Sequence, residues 1–497
     1  MPAAETYDID VDVLVVGVGT AGLPVAIEAA DCGARVLLID KDTRIGGTLH
    51  TTGGHIVAAG TRRQREHGIA DSPQEFLDDV RRITFDNFRE DIVVPVIDGA
   101  AELVDWLDDH GFAFAPDTPR IIFGHEPYRI ARTYYGVDAG LSILAVFRPL
   151  LDAHVDAGRI TLWTDTPCIG LTVSDERVVG ATVLRKGVDV EVSAAATVLA
   201  TGGFGNNAEM FAELVGLPLV SGSHATSTGD GLELGRAVGA AFQGEDVYLP
   251  TFGGLPHPNT PGRVQWDERP LFTSERDPWE IYIDRDGHRW VAEDNQSIDA
   301  KERALVGHGG DLTFWSIFDE RAVRESGTIV VNWTADDLRA RANVRVGVSS
   351  ADSLDELAVR AGIDADALRA AVDRYNAMVT SGVDAEFGRT HLPARIEEPP
   401  FYALENHGVT LVTFVGLDVD GQMRVRRDDG TTIDGFYAVG EVIGAAATTG
   451  QSFCSGMLIT PALVHGRALG RRLGEQLGQP HGALTFAAQE PDGFAGD

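Results

Sequence analysis

Cationic charge is scarce in this chain. Its 41 lysines and arginines stand against 75 aspartates and glutamates, a formal net charge of -34 over 497 residues. A surface that negative repels nucleic acid and anionic membranes, so neither is an expected partner. An anionic small molecule is still admissible, because one local basic pocket suffices. Cysteine is scarcer: Cys32, Cys168 and Cys454 lie far apart. That excludes a disulfide framework, a CxxC metal site and a CxxCH haem attachment, and no metal is expected. No uncharged apolar run reaches the about 18 residues of a membrane span. The acidic opening MPAAETYDIDVD carries no apolar signal-peptide segment, so a cytoplasmic location is the expectation. Internal repeats and low-complexity stretches are lacking too. The end of the chain, residues 479–497, is rich in Gly, Pro and acid and reads as loose.

Glycine, by contrast, is abundant at 57 residues, which suits a backbone brought close to a ligand. The length allows two or three domains with sizeable cores. Almost at once comes VLVVGVGTAGLPVAIEAADCGARVLLID, residues 13–40. Residues 13–16 read as a buried parallel strand. Gly17 permits the tight turn, Gly19 lets the backbone approach a pyrophosphate, and Gly22 lets a helix over 23–32 pack on the strand. That helix would turn its free N–H groups to the phosphates. Residues 35–39 form a second strand, and Asp40 ends it 18 positions after Gly22. A carboxylate there accepts from ribose hydroxyls. An adenine dinucleotide is therefore expected.

Later segments choose between nicotinamide and flavin. After Asp40 follows KDTRIGGTLHTTGGHIVAAGT, in which Gly46, Gly47, Gly53, Gly54 and Gly60 crowd together. So much glycine suits a backbone lying on a large flat ligand. Far downstream, GFYAVGEVIG reads as a short strand ending at Gly440 and Glu441. Two distant segments meeting one dinucleotide is the organisation of a flavoprotein.

With these and VLATGGFGNN, TGDGLELGRAVGA, IYIDRDGHRWVAED, EPPFYAL and GLDVDGQMRV, nearly the whole chain resembles the FAD-binding flavoproteins of the fumarate reductase and 3-ketosteroid Δ1-dehydrogenase superfamily. The resemblance implies an α/β fold. A Rossmann-like FAD domain with a parallel sheet would be split over residues 1–250 and 400–497, with an α+β capping domain inserted at 251–399. The active site would lie between them. Gly17, Gly19, Thr20, Ala21 and Gly22 would hold the pyrophosphate, with Asp40 and Lys41 at the adenosine ribose. Gly46, Gly47, Thr48, Thr52, Gly53 and Gly54 would line the flavin. Cys168 would offer its backbone to adenine, and Ala200, Thr201 and Gly202 would approach the adenosine. Asp230, Gly440 and Glu441 would lie near the ribitol. Ser455, Met457, Leu458 and Ile459 would lie at the pyrimidine edge. Relatives that attach FAD covalently do so through a histidine whose position is Thr48 here, which implies non-covalent FAD.

The chain departs from the fumarate reductase pattern where that pattern holds a dicarboxylate. Ser297 stands where the family has its proton-donating arginine, Val412 in place of a histidine and Phe453 in place of a second arginine. A dianion there would lose its hydration without partners, at a cost of several kcal/mol per charge. Fumarate and succinate are thus expected to be poor substrates. Against the ketosteroid dehydrogenases, the glycine whose N–H binds the ketone falls on Gly456, while the two site tyrosines fall on Ser452 and Ser297. A cyclic ketone remains plausible as substrate, as does a small oxo acid of the 4-oxocyclohexanecarboxylate type.

The activity so implied is desaturation next to a ketone, with flavin N5 as hydride acceptor. It also needs a base for the α-proton and a donor to the enolate oxygen. In EPYRIARTYYGVDAG, residues 126–140, Tyr134 or Tyr135 beside Arg132 suits a base, since a nearby guanidinium favours phenolate. The alternative is that the tyrosines pack the FAD domain. Arg132 suits a substrate carboxylate or an ordinary salt bridge. Cys454 reads as a small buried residue, and His257, His288 and His391 as cap residues within reach of substrate. Oxygen, a quinone or a redox protein would take the electrons. Two other readings stand beside this one: an ene-reductase of an enone or enoate, and the flavoprotein subunit of an electron-transfer complex.

Overall fold

The computed structural model describes residues 8–271 and 275–478; the loose segment expected over 479–497 lies outside them. Strand β1 (Asp8–Val16) is fully buried over its apolar half because it runs down the middle of an eight-stranded sheet. It pairs in parallel with β2 (Val36–Ile39) on one side, Val13 opposite Val36, and with Val188–Leu199 on the other. The strand Ile160–Trp163 extends the parallel array beyond β2, and Thr432–Ala438 extends it beyond Val188–Leu199. Antiparallel strands Cys168–Ser174, Arg177–Arg185 and Arg424–Arg426 complete the sheet. Continuous burial of Val13–Val16 and Val36–Ile39 fits strands covered on both faces.

Helix α1 (Gly22–Asp31) covers one face and is itself covered by the long last helix, Ile459–Leu477. Their close approach is written in glycine. A Cβ on Gly466 would stand 2.8 Å from the Ala21 carbonyl oxygen, one on Gly474 2.6 Å from that of Ala29, and one on Gly470 would collide with that of Val25. The Arg467 Nε donates to Glu28 at 2.6 Å and ties the two helices. This packing brings the N-terminus of the last helix beside that of α1.

A second, antiparallel sheet carries the cap. Strands Thr313–Asp319, Val348–Ala351 and Thr251–Phe252 pair with Phe401–Val409, and Ile281–Ile283 pairs with Thr313–Asp319. Helices Leu354–Ala361 and Ala365–Ser381 pack on it through Leu357, Leu368 and Tyr375. The chain therefore returns to the first sheet after Val409 and not at residue 400, because Phe401–Val409 is the strand that holds the cap sheet together. None of the helices among the described residues is long and apolar enough to cross a membrane.

Candidate active site

A large cavity of about 670 Å³ runs from the β1–α1 loop to the underside of the cap. At one end β1 stops at Gly17, whose φ of 108° no L side chain adopts readily and whose Cβ would collide with the Ala200 carbonyl. The Gly17 N–H donates to Ile39 O at 2.8 Å and the Ala200 N–H to Val16 O at 2.8 Å, so three strand ends are locked together. Gly22 lies behind the wall, where a Cβ would collide with the Gly17 carbonyl. Gly19 differs: a Cβ there meets no protein atom within 4 Å, and Gly19 lines the cavity. The glycine is needed by what fills the cavity, not by the protein around it. Neither α1 nor the last helix has a side-chain cap or an acid in its first turn, so their N-terminal amides stay available to an anion.

Asp40 lines the same end. Its carboxylate accepts from the Val18 N–H at 2.7 Å and the Asp42 N–H at 2.8 Å, and burial raises its pKa. Lys41 donates to Asp230 at 2.8 Å. Asp230 therefore stands with Lys41, next to Asp40 in the chain. Glu441 is held separately by the Thr413 N–H at 2.9 Å, and burial raises its pKa. Gly47, Thr48, Thr52, Gly53, Cys168, Thr201, Gly202, Gly440, Ser455, Leu458 and Ile459 also reach the wall, as does Thr20. Gly46, Gly54 and Met457 do not. Gly46 and Gly54 have φ of 109° and 72° and shape the loop, while Met457 is buried in a side cluster. Thr48 is on the wall, whereas His50 turns away and binds the Ile45 carbonyl at 2.9 Å.

The expected acid–base groups are not brought together. Tyr134 is fully buried off the cavity in the short strand Thr133–Tyr134, with its hydroxyl 2.6 Å from Thr61 Oγ1. Burial drives its pKa up, which opposes a phenolate. Arg132 is equally buried between Asp71 at 2.9 Å and Asp79 at 3.1 Å. It braces the fold and is out of reach of a substrate carboxylate. Tyr135 donates to Asp117 at 2.7 Å, and its pKa is raised by burial and by that bond. Ser452 is buried behind the wall, accepting from Arg303 at 3.2 Å. His257, His288 and His391 do not line the cavity either. Asp284, Asp286 and His288 bring ligand atoms within 4.8 Å in an exposed cap turn, but Asp284 already accepts from two backbone N–H groups there. We expect Tyr134→Phe to lose about 1 kcal/mol of stability, as for one hydrogen bond, and to keep the wild-type rate of flavin reduction. Chemical denaturation and stopped-flow absorbance read the two effects.

Other groups occupy the cap end. Phe252, Trp266, Ile298, Val412 and Phe453 make it apolar. His55 and His125 line it, and burial lowers the pKa of each; His125 falls to about 4, with His55 and Arg269 adding to the effect, while His224 stands on the wall among Asp40, Asp42 and Arg44. Glu302, on the helix Ile298–His308, reaches the wall fully buried. Ser297, the N-cap of that helix, donates to the Glu126 carboxylate. Five residues of the wall carry a buried polar atom without a protein partner: Thr201 Oγ1, Thr251 Oγ1, Ser455 Oγ, His125 Nδ1 and Glu302 Oε2. Such atoms are costly unless a ligand or water meets them. With the open cradle at Gly19 they fit a large, many-handed ligand.

A dinucleotide loop continuous with an apolar, capped chamber defines an FAD-dependent oxidoreductase. The chain belongs to the FAD binding domain family (FAD_binding_2), which matches residues 12–458. It is 31% identical to a fumarate reductase (cytochrome) of Shewanella frigidimarina, over 93% of this chain and 76% of the relative. Its fold matches the open conformation of a flavocytochrome c3 fumarate reductase with a TM-score of 0.74 at 26% identity, covering 94% of this chain and 79% of the other. The 3-ketosteroid Δ1-dehydrogenase of Sterolibacterium denitrificans shares the fold with a TM-score of 0.75 at 20% identity, over 94% and 100% of the two chains.

Proposed function

We propose that the protein interconverts a C–C single bond and a C=C double bond conjugated to the carbonyl of an uncharged substrate, a cyclic ketone or its enone. Bound FAD supplies hydride acceptance or donation. The observation that carries the reading is the lining of the cap end. Phe252, Val412 and Phe453 stand on its wall, burial lowers the pKa of His55 and His125 there, and Glu302 is fully buried. The cations on the wall among the described residues are already engaged, Lys41 with Asp230 and Arg269 with Glu275 at 2.8 Å. A dicarboxylate would find no unengaged cation there among the described residues. The residues Ser455 to Leu458 place the Gly456 backbone on the wall, where its N–H is suited to a substrate carbonyl. Gly456→Ala does not isolate that role, because its Cβ would stand 2.7 Å from Val57 at a φ of 78°.

Desaturation of a ketone is one direction. Reduction of the enone is the other, favoured by the Shewanella relative being a reductase. The test is a panel of cyclic ketones and enones, each mixed anaerobically with oxidised and with reduced protein. A flavin that responds to none of them ends the reading. We further expect FAD to be non-covalent, since threonine at position 48 has no linking nitrogen. Acid precipitation should leave the yellow colour in the supernatant, and a yellow pellet contradicts this.

A further inference from the structure

Glu302 is where the chemistry of the cap end concentrates. It is fully buried, and its Oε1 accepts the Phe252 N–H at 3.2 Å while Oε2 has no protein partner. Both the residue and its neighbours Phe252 and Ile298 line the cavity. The charged and titratable groups that face it are Asp299, Lys301 and Arg303 on its own helix and Tyr248 from the segment before Phe252. Burial, with Asp299 adding to it, holds the carboxyl well above the usual carboxylate range. A carboxylic acid with one oxygen anchored and the other buried without a partner, on a residue that lines an apolar chamber, is a loaded proton donor.

We propose that Glu302 is the catalytic acid, handing its Oε2 proton to the substrate carbon next to the carbonyl, so that the site is set at rest for reduction. The assignment rests on the reading given under Proposed function. In the step, the Glu302 O–H bond breaks and a C–H bond forms at the α-carbon. Bound reduced FAD would supply the hydride, with both electrons, to the β-carbon. The C=C π bond is lost, and Glu302 is left as a carboxylate facing Lys301 and Arg303. In the opposite direction a protonated Glu302 has no room for the α-proton, so desaturation needs the minor, ionised form.

Glu302→Gln preserves size and the acceptor for Phe252 but has no transferable carboxyl proton. With dithionite-reduced holoprotein and 2-cyclohexenone as probe, flavin reoxidation should slow at least a hundredfold. FAD content and the probe's dissociation constant should stay within threefold. A second readout needs no turnover. The folded-state pKa of Glu302 lies above its unfolded value of about 4.3. Its contribution to stability is therefore full below that value and declines as pH rises. The thermal midpoint of Glu302→Gln should accordingly gain on wild type between pH 5 and pH 8 (roughly the window above the unfolded value). Reoxidation of Glu302→Gln at the wild-type rate, or a midpoint difference flat with pH, overturns the assignment alone. A wild-type protein inert to every enone overturns the functional reading and this assignment with it, even if the midpoint difference still slopes.

Discussion

A Gly19→Val protein should purify folded and colourless. The valine side chain points where no protein atom lies within 4 Å, at a backbone angle outside the left-handed region. The apoprotein has nothing to lose by it. FAD does, because the side chain occupies the cradle between Ala200, Thr201 and the first turn of α1. We expect FAD affinity to fall at least about a thousandfold, about 4 kcal/mol, while the thermal midpoint of the apoprotein stays within a degree or two. Gly22→Ala is the contrast, since its Cβ collides with the Gly17 carbonyl: it should lower both. A Gly19→Val protein that retains FAD places the pyrophosphate elsewhere.

The second large effect is discrimination between neutral and dianionic substrates. Transferring two carboxylates into a chamber walled by Phe252, Val412 and Phe453, with Arg269 already on Glu275, removes their hydration without replacing it. We expect kcat/KM for fumarate to be at least about a thousandfold below that for the best cyclic enone, about 4 kcal/mol of transition-state stabilisation. Comparable values for the two would mean that a cation leaves its partner to meet the dianion.

How much of this was legible follows the range of the interactions concerned. The β1–α1–β2 unit is local: strand, turn, helix and acid lie within 28 residues, and the spacing already expresses the steric need for Gly17 and Gly22 and the open approach at Gly19. The second FAD segment was legible through its own glycines at 440 and 456. The catalytic end was not. Arg132 looked available because its partners, Asp71 and Asp79, are 61 and 53 residues away. Only the fold shows that it is neutralised. Tyr134 looked reactive beside arginines, but its hydroxyl is spoken for by Thr61. Glu302 was missed because IDAKERAL reads as an ordinary charged helix face, and acids on helices mostly meet water. The cap sheet buries that face instead. His125 was missed because the ring it packs against, Phe453, is far away in the chain. The Phe401–Val409 strand fell in the segment from residue 400 onward because its partners, Thr251–Phe252, Thr313–Asp319 and Val348–Ala351, lie far before it in the chain.

The most direct measurement of the account is the absorbance of the bound flavin under anaerobic conditions. The protein is reduced with one equivalent of dithionite and mixed in turn with 2-cyclohexenone, with larger cyclic enones and with fumarate. The account predicts that at least one neutral enone restores the oxidised flavin spectrum within seconds and in one-to-one stoichiometry, while fumarate leaves it bleached. Restoration by fumarate with every enone silent would contradict it.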